Sequence, residues 1–198
     1  MKPINLNSIE EKNLGGGDFP QLKPGAYACK VTEVIDHADR EYLDVLLDIC
    51  VGEFEGYFSD KFYADKPWSH SIVLSYKDSA LGMLKGRLQT ITASNPGFDA
   101  EAAWNGGALN MFVGKVVCVV FRAEEYMDKK TGEFKLGSPR PDRLCLMADM
   151  ADPKNSDPLP KMMKDDEKRQ ARLKAGLSPV IADSAAPTVD LYAEEVPF

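Results

Sequence analysis

Hydrophobic and polar residues alternate most cleanly over Leu43–Val51. Leu43, Val45, Leu47, Ile49 and Val51 form one face, and Asp44 and Asp48 stand on the other. A period of two marks a strand with one face in a core and the other in water. The same period runs through Tyr27, Cys29 and Val31, alternating with Ala28, Lys30 and Thr32, and predicts a half-buried strand of about ten residues. Asp36–Arg40 is the polar turn between the two strands, and Gly52–Gly56 is a second, glycine-bounded turn. Tyr57–Tyr63 then reads as a third strand that completes an antiparallel meander. Its alternation puts Phe58, Asp60 and Phe62 on one face, expected toward the core. Tyr57, Ser59, Lys61 and Tyr63 fall on the other face.

The period changes after Pro67. Leu81, Leu84, Leu88 and Ile91 recur at helical spacing and predict a helix within Ser79–Thr92, weakened by Gly82 and Gly86 and ended by Asn95-Pro96-Gly97. Asp99–Trp104 adds one more helical turn, with Asp99 near its N-terminus, and Gly106-Gly107 breaks it. Val116–Phe121 is a β-branched run of the kind buried on both faces of a sheet. Tyr126–Phe134 predicts a hairpin connection with Asp128–Gly132 at its tip, and Arg143–Met147 the last strand. Three strands, a helix and two strands is the element order of the OB-fold, a five-stranded barrel with its helix between strands three and four. The expectation is therefore a mainly β chain built on an OB-fold-like barrel.

That barrel occupies residues 25–148. Residues 1–24, with Gly15-Gly16-Gly17 and with Pro20 and Pro24 flanking an irregular stretch, read as a flexible arm. Residues 149–189 read as a proline-punctuated linker holding one short solvated helix within Met162–Leu173. Residues 190–198 form an acidic tail. The 198-residue chain is 44% hydrophobic, enough for a core, and no run approaches the about 18 apolar residues that cross a bilayer. The start lacks the apolar stretch of a signal peptide, so a cytoplasmic protein with no membrane partner is expected. Cys29, Cys50, Cys118 and Cys145 are far apart, lie in apolar runs, and are expected to be buried free thiols.

Net charge is −7, which argues against a generic nucleic-acid binder, but the charge is uneven. Residues 61–91 carry a net +3 and residues 115–143 a net +2, so two middle segments hold the positive charge. Brought together, they would form a local basic groove on an acidic protein. Single-strand binding requires aromatic faces to stack bases and cations to meet phosphates. Tyr57, Lys61, Tyr63, Lys66, Trp68, Tyr76 and Lys77 interleave the two more densely than any other stretch. Trp68 is the prime stacking candidate, because it follows Pro67 in a polar loop. Arg122, Lys129, Lys130, Arg140 and Arg143, on the hairpin and its flanking strands, supply a second set of cations.

Enzymatic chemistry finds little support. His37 and His70 begin no metal-ligand spacing, no phosphate-binding G-x-x-x-x-G-K-[ST] loop occurs, and the acidic residues form no recognisable pair. No catalytic residue, metal or cofactor is expected.

The tail is the most specific feature. Asp190, Glu194 and Glu195 precede Val196-Pro197-Phe198, with no Lys or Arg among the last nine residues. An aromatic ring beside a chain-terminal carboxylate makes a peptide hook for an apolar pocket edged by a cation. This end resembles the acidic, Pro-Phe-terminated tail of bacterial single-stranded DNA-binding proteins. With the barrel, the chain is similar to the diverged type carried by phages and prophages. The resemblance implies that the protein binds and protects single-stranded DNA during replication, recombination and repair. It further implies recruitment of partner proteins through the tail, and it admits a homo-oligomer. The alternative is a protein-interaction adaptor or phage accessory protein that binds no DNA.

Overall fold

The computed structural model describes residues 20–178. The expectations for residues 1–19, for the linker beyond Ser178 and for the tail residues Asp190, Glu194, Glu195, Val196, Pro197 and Phe198 lie outside the described residues.

Alternation does what it predicts over the first two strands, β1 (Gly25–His37) and β2 (Tyr42–Ile49). They pair antiparallel, with His37 opposite Tyr42 and Cys29 opposite Ile49, and the register shifts between Val31 and Glu33. The chain continues as β3 (Ser71–Ser75), α1 (Leu81–Ser94), α2 (Ala100–Asn105), β4 (Val116–Arg122), β5 (Glu125–Met127), β6 (Phe134–Leu136), β7 (Arg140–Cys145), α3 (Pro153–Ser156) and α4 (Asp165–Lys174). The main sheet has the order β3-β2-β1-β4-β7 and is antiparallel throughout. Its edge strands β3 and β7 approach within 8 Å between Cα atoms without forming a ladder, so the barrel is nearly closed. The molecule is thus mainly β, with a five-stranded OB-fold-like barrel whose helices α1 and α2 lie between the third and fourth barrel strands.

The core is the inward face that the period-two pattern marks. Val31, Leu43, Val45, Leu47, Ile49, Ile72, Leu74, Val117, Val119 and Phe121 are all buried, and α1 adds Leu84, Leu88 and Ile91. Val51 falls past the end of β2 and is exposed. The outer side of β4 is buried too, at Cys118 and Val120, as expected of a strand covered on both faces. The four cysteines are free thiols, Cys29 and Cys118 buried and Cys50 and Cys145 half-buried.

Three expectations need correction. Tyr57–Tyr63 is not a strand. Gly56 adopts a left-handed conformation (φ 73°), and Tyr57–Ser59, Lys61–Tyr63 and Pro67–Ser69 are 3-10 turns. The third strand is Ser71–Ser75, where Ile72 and Leu74 carry the inward face. Without a strand there the face assignment also fails: Phe58 is buried, but Phe62 is 62% exposed. Asp48 lies on the outward face of β2, as its position dictates, yet it is 7% exposed because the loop folds over it.

The described chain forms two compact units. The first holds the barrel and comprises residues up to Ala123 together with Ser138–Leu159. In it α3, opened by Pro153 and capped by Asp152 (3.0 Å to the Lys154 N–H), packs against β1. The second unit joins Glu124–Gly137 to the chain from Pro160 onward. In it the β5–β6 hairpin meets the Pro160–Lys174 segment. Glu124 pairs with Lys161 (2.7 Å), and Glu125 pairs with Lys168 (3.1 Å) and accepts from the Met163 N–H (3.0 Å). Acidic residues fill the first turn of α4, and Arg172 and Lys174 its last, matching the helix dipole.

Candidate nucleic-acid interface

The connection from β2 to β3 carries the densest aromatic and basic stretch, and the barrel holds it at several points. The Asp48 carboxylate accepts from the Phe58 N–H (2.9 Å) and from the Ser59 hydroxyl. Asp60 caps the next turn, accepting from the Phe62 N–H at 2.7 Å. The Phe58 ring enters the barrel and stacks on Phe121 (5.7 Å between centroids) and His70 (5.0 Å). Tyr27, Phe54, Tyr57 and Tyr63 surround this stack and form an aromatic plug at one end of the barrel. Burial holds the His70 imidazole below its ordinary pKa and pushes the Tyr63 hydroxyl up, helped by the Tyr57 hydroxyl.

Tyr57 and Tyr63 are therefore half-buried members of the plug, and the Tyr57 hydroxyl accepts from the Leu22 N–H at 3.3 Å. The solvent side of the same loop shows different residues. Trp68 is 56% exposed and Lys61 is exposed. The Lys66 ammonium sits 3.3 Å from the Phe62 ring centroid and donates to the Phe62 carbonyl at 2.8 Å. This loop thus offers the exposed Trp68 ring, a Phe62 ring with the Lys66 ammonium over one face, and the exposed Lys61, on a backbone fixed to the barrel. Flat apolar faces stack bases, and nearby ammonium groups meet phosphates.

The remaining candidates are placed elsewhere. Tyr76 follows β3, donates to Asp36 (3.0 Å) and meets Trp104 edge-on. Lys77 beside it is exposed. The five residues of β3, about 16 Å of strand, separate this pair from Trp68. Arg122 and Arg143 share one carboxylate, Asp142, at 2.8 and 3.0 Å. Arg143 also donates to the Lys154 carbonyl (2.7 Å) and to Asn155 (3.0 Å), and Asn155 is itself 1% exposed. These two guanidinium groups tie β4, β7 and α3 together. Arg140, opposite Arg122 in the ladder, is exposed. Lys129 and Lys130 are exposed at the hairpin tip in the second unit. Just before them, Asp128 accepts from the Lys130 N–H and from Lys135, which hold its carboxyl below the usual range.

Two features escaped sequence reasoning. One is Phe62, misplaced by reading a strand where turns occur. The other is the outward ring of Tyr42, which stacks on His37 at 4.5 Å, with His37 Nε2 3.1 Å from Asp44. Its signal was the alternation itself, which puts Tyr42 on the face opposite Leu43.

Among the described residues no group of three or more His, Cys, Asp or Glu side chains is placed to hold a metal, and no helix is long and apolar enough to cross a membrane. No family model matches the chain, and no curated protein is detectably similar to it.

Proposed function

We propose that this chain is a cytoplasmic single-stranded DNA-binding protein of the type phages carry, which protects DNA during replication and recombination and recruits partners through residues 190–198. The observation that carries the reading is the exposed pair Trp68 and Phe62, with Lys61 and Lys66, on a loop anchored to an OB-fold-like barrel. Arg140 and Lys77 are further exposed cations of the same unit. Each stacked base contributes about 1–3 kcal/mol. Fluorescence titration with oligo-dT and with duplex DNA tests this directly. Preferential, salt-sensitive binding to oligo-dT is expected, and equal or absent binding to both overturns it.

A second reading, an interaction adaptor that binds no DNA, draws on the net charge of −7 and on Asp142, which engages Arg122 and Arg143. Under it, Trp68→Ala and Lys61→Glu leave oligo-dT titrations unchanged. Under the first reading, both weaken binding.

A further inference from the structure

The two exposed rings on the β2–β3 loop differ in one respect. No Lys or Arg lies over Trp68 among the described residues. Over Phe62 the Lys66 ammonium sits 3.3 Å from the ring centroid, in the space a base stacked on that face would take. The same ammonium donates to the Phe62 carbonyl at 2.8 Å and has the Asp65 carboxylate at 3.9 Å. The Lys66 backbone is held in place. Its N–H donates to the Tyr63 carbonyl (2.9 Å), and its own carbonyl accepts from the Ser69 N–H (3.0 Å) and the Ser69 hydroxyl (2.7 Å). Only the side chain is free to swing, and the four-carbon stem of a lysine turns readily.

We propose that Lys66 is a displaceable cap on Phe62, moved off the ring by an arriving base and reused on the phosphate beside that base. The proposal rests on the reading of this chain as a single-strand binder and adds the device that gates one of its stacking faces. Magnitudes favour the exchange. An ammonium over an exposed ring is worth about two- to fivefold in an equilibrium constant. A stacked base is worth about five- to 150-fold. The displaced ammonium also loses the Phe62 carbonyl, and a phosphate oxygen replaces that acceptor with a charged one. A ligand must therefore bring a base face and a phosphate together. A free base uncaps the ring but leaves the ammonium unplaced, and a bare phosphate draws the ammonium away but leaves the ring unstacked. A duplex keeps its base faces stacked inside. The ligand that meets both demands is a phosphodiester-linked single strand.

The test uses the full-length chain carrying ¹³C-labelled lysine, titrated with oligo-dT. A methylene above a ring face resonates upfield, so the Lys66 ε-methylene should be shifted upfield in the free protein. Phe62→Ala should abolish that shift, which assigns the signal. At saturation with oligo-dT the signal should return to the position of solvated lysines. Affinity is the second readout. Lys66→Ala removes the cap and the cation together, so the slope of log K against log salt should become shallower by about 0.7. At about 1 M salt, where counterion release contributes little, the variant should bind about two- to fivefold tighter than the wild type. In a Phe62→Ala background that gain should vanish. Lys66→Gln should show the same shallower slope, and unchanged urea midpoints certify the fold of each variant. The proposal is overturned by a Lys66 signal that is not upfield in the free protein, by one that stays upfield at saturation, or by Lys66→Ala binding more weakly than the wild type at every salt concentration. A wild type that does not bind oligo-dT overturns the cap together with the reading it rests on. Binding with an unmoved Lys66 signal overturns the cap alone.

Discussion

Asp48 holds the loop that carries Trp68 and Phe62. Its carboxylate is buried and accepts from the Phe58 N–H and the Ser59 hydroxyl. Asp48→Ala removes the acceptor and leaves two donors unsatisfied, which costs about 2–3 kcal/mol. A lower urea midpoint is expected, together with weaker oligo-dT binding, although Asp48 itself touches no ligand. His70 adds a pH dependence. Burial holds its folded pKa below the unfolded value of about 6.5, so the unfolded chain takes up the proton first on acidification. Stability is complete above pH 6.5 and falls as the pH drops below it. Urea unfolding at pH 7.5 and 5.5 should show this loss, and His70→Gln should reduce it. The thiols form a third case. Burial pushes Cys29 and Cys118 far above the usual range, and Cys118 lies 2.8 Å from Cys145 across the β4–β7 ladder. Both buried thiols should stay unreactive toward an aromatic disulfide reagent until the protein is unfolded.

At the scale of elements, legibility follows from how much of an element's burial is periodic. β1, β2 and α1 present regular apolar faces, and Leu84, Leu88 and Ile91 are buried as the pattern puts them, whereas Leu81 in the first turn of α1 is 47% exposed. Asp99 caps α2, accepting from the Ala102 N–H at 2.9 Å, as an aspartate before an alanine-rich turn suggests. The β2–β3 connection has aromatics at nearly every position, so no period distinguishes a strand from turns. Its conformation is decided by Asp48, Asp60 and the left-handed Gly56, and its inward residues by which rings reach Phe121. The exposed Lys61, the half-buried Lys66 and Trp68 were legible as candidates. The pairing of Arg122 and Arg143 with Asp142 was not, because it depends on the β4–β7 register. One such tertiary device is measurable. Asn95, at the end of α1, donates to the Val116 carbonyl (2.8 Å) and accepts from the Val116 N–H (3.0 Å), which latches the helix to β4 as a strand neighbour would. Asn95→Ala should cost about 1–3 kcal/mol in urea unfolding.

At the scale of the whole molecule, the acidic balance limits how many phosphates the barrel can neutralise. Lys61, Lys66, Lys77 and Arg140 are its candidate cations. Four contacts to a single strand give a slope of log K against log salt of about −3. A slope steeper than about −5 would place additional cations in the interface.

The chain passes between the two units after Ala123, after Gly137 and after Leu159. The hairpin is therefore synthesised well before the helix it packs with. Ribosomes add about 5–20 residues per second, so for a few seconds the nascent chain holds the β5–β6 segment without Pro160–Lys174. An isolated two-stranded hairpin is at best marginally stable. Assembly should accordingly run in a fixed order, with the barrel closing on β7 first and the hairpin setting only when α4 arrives. A chain stopped at Leu159 should keep slow amide exchange in β1, β2 and β4 and lose it throughout Glu125–Leu136.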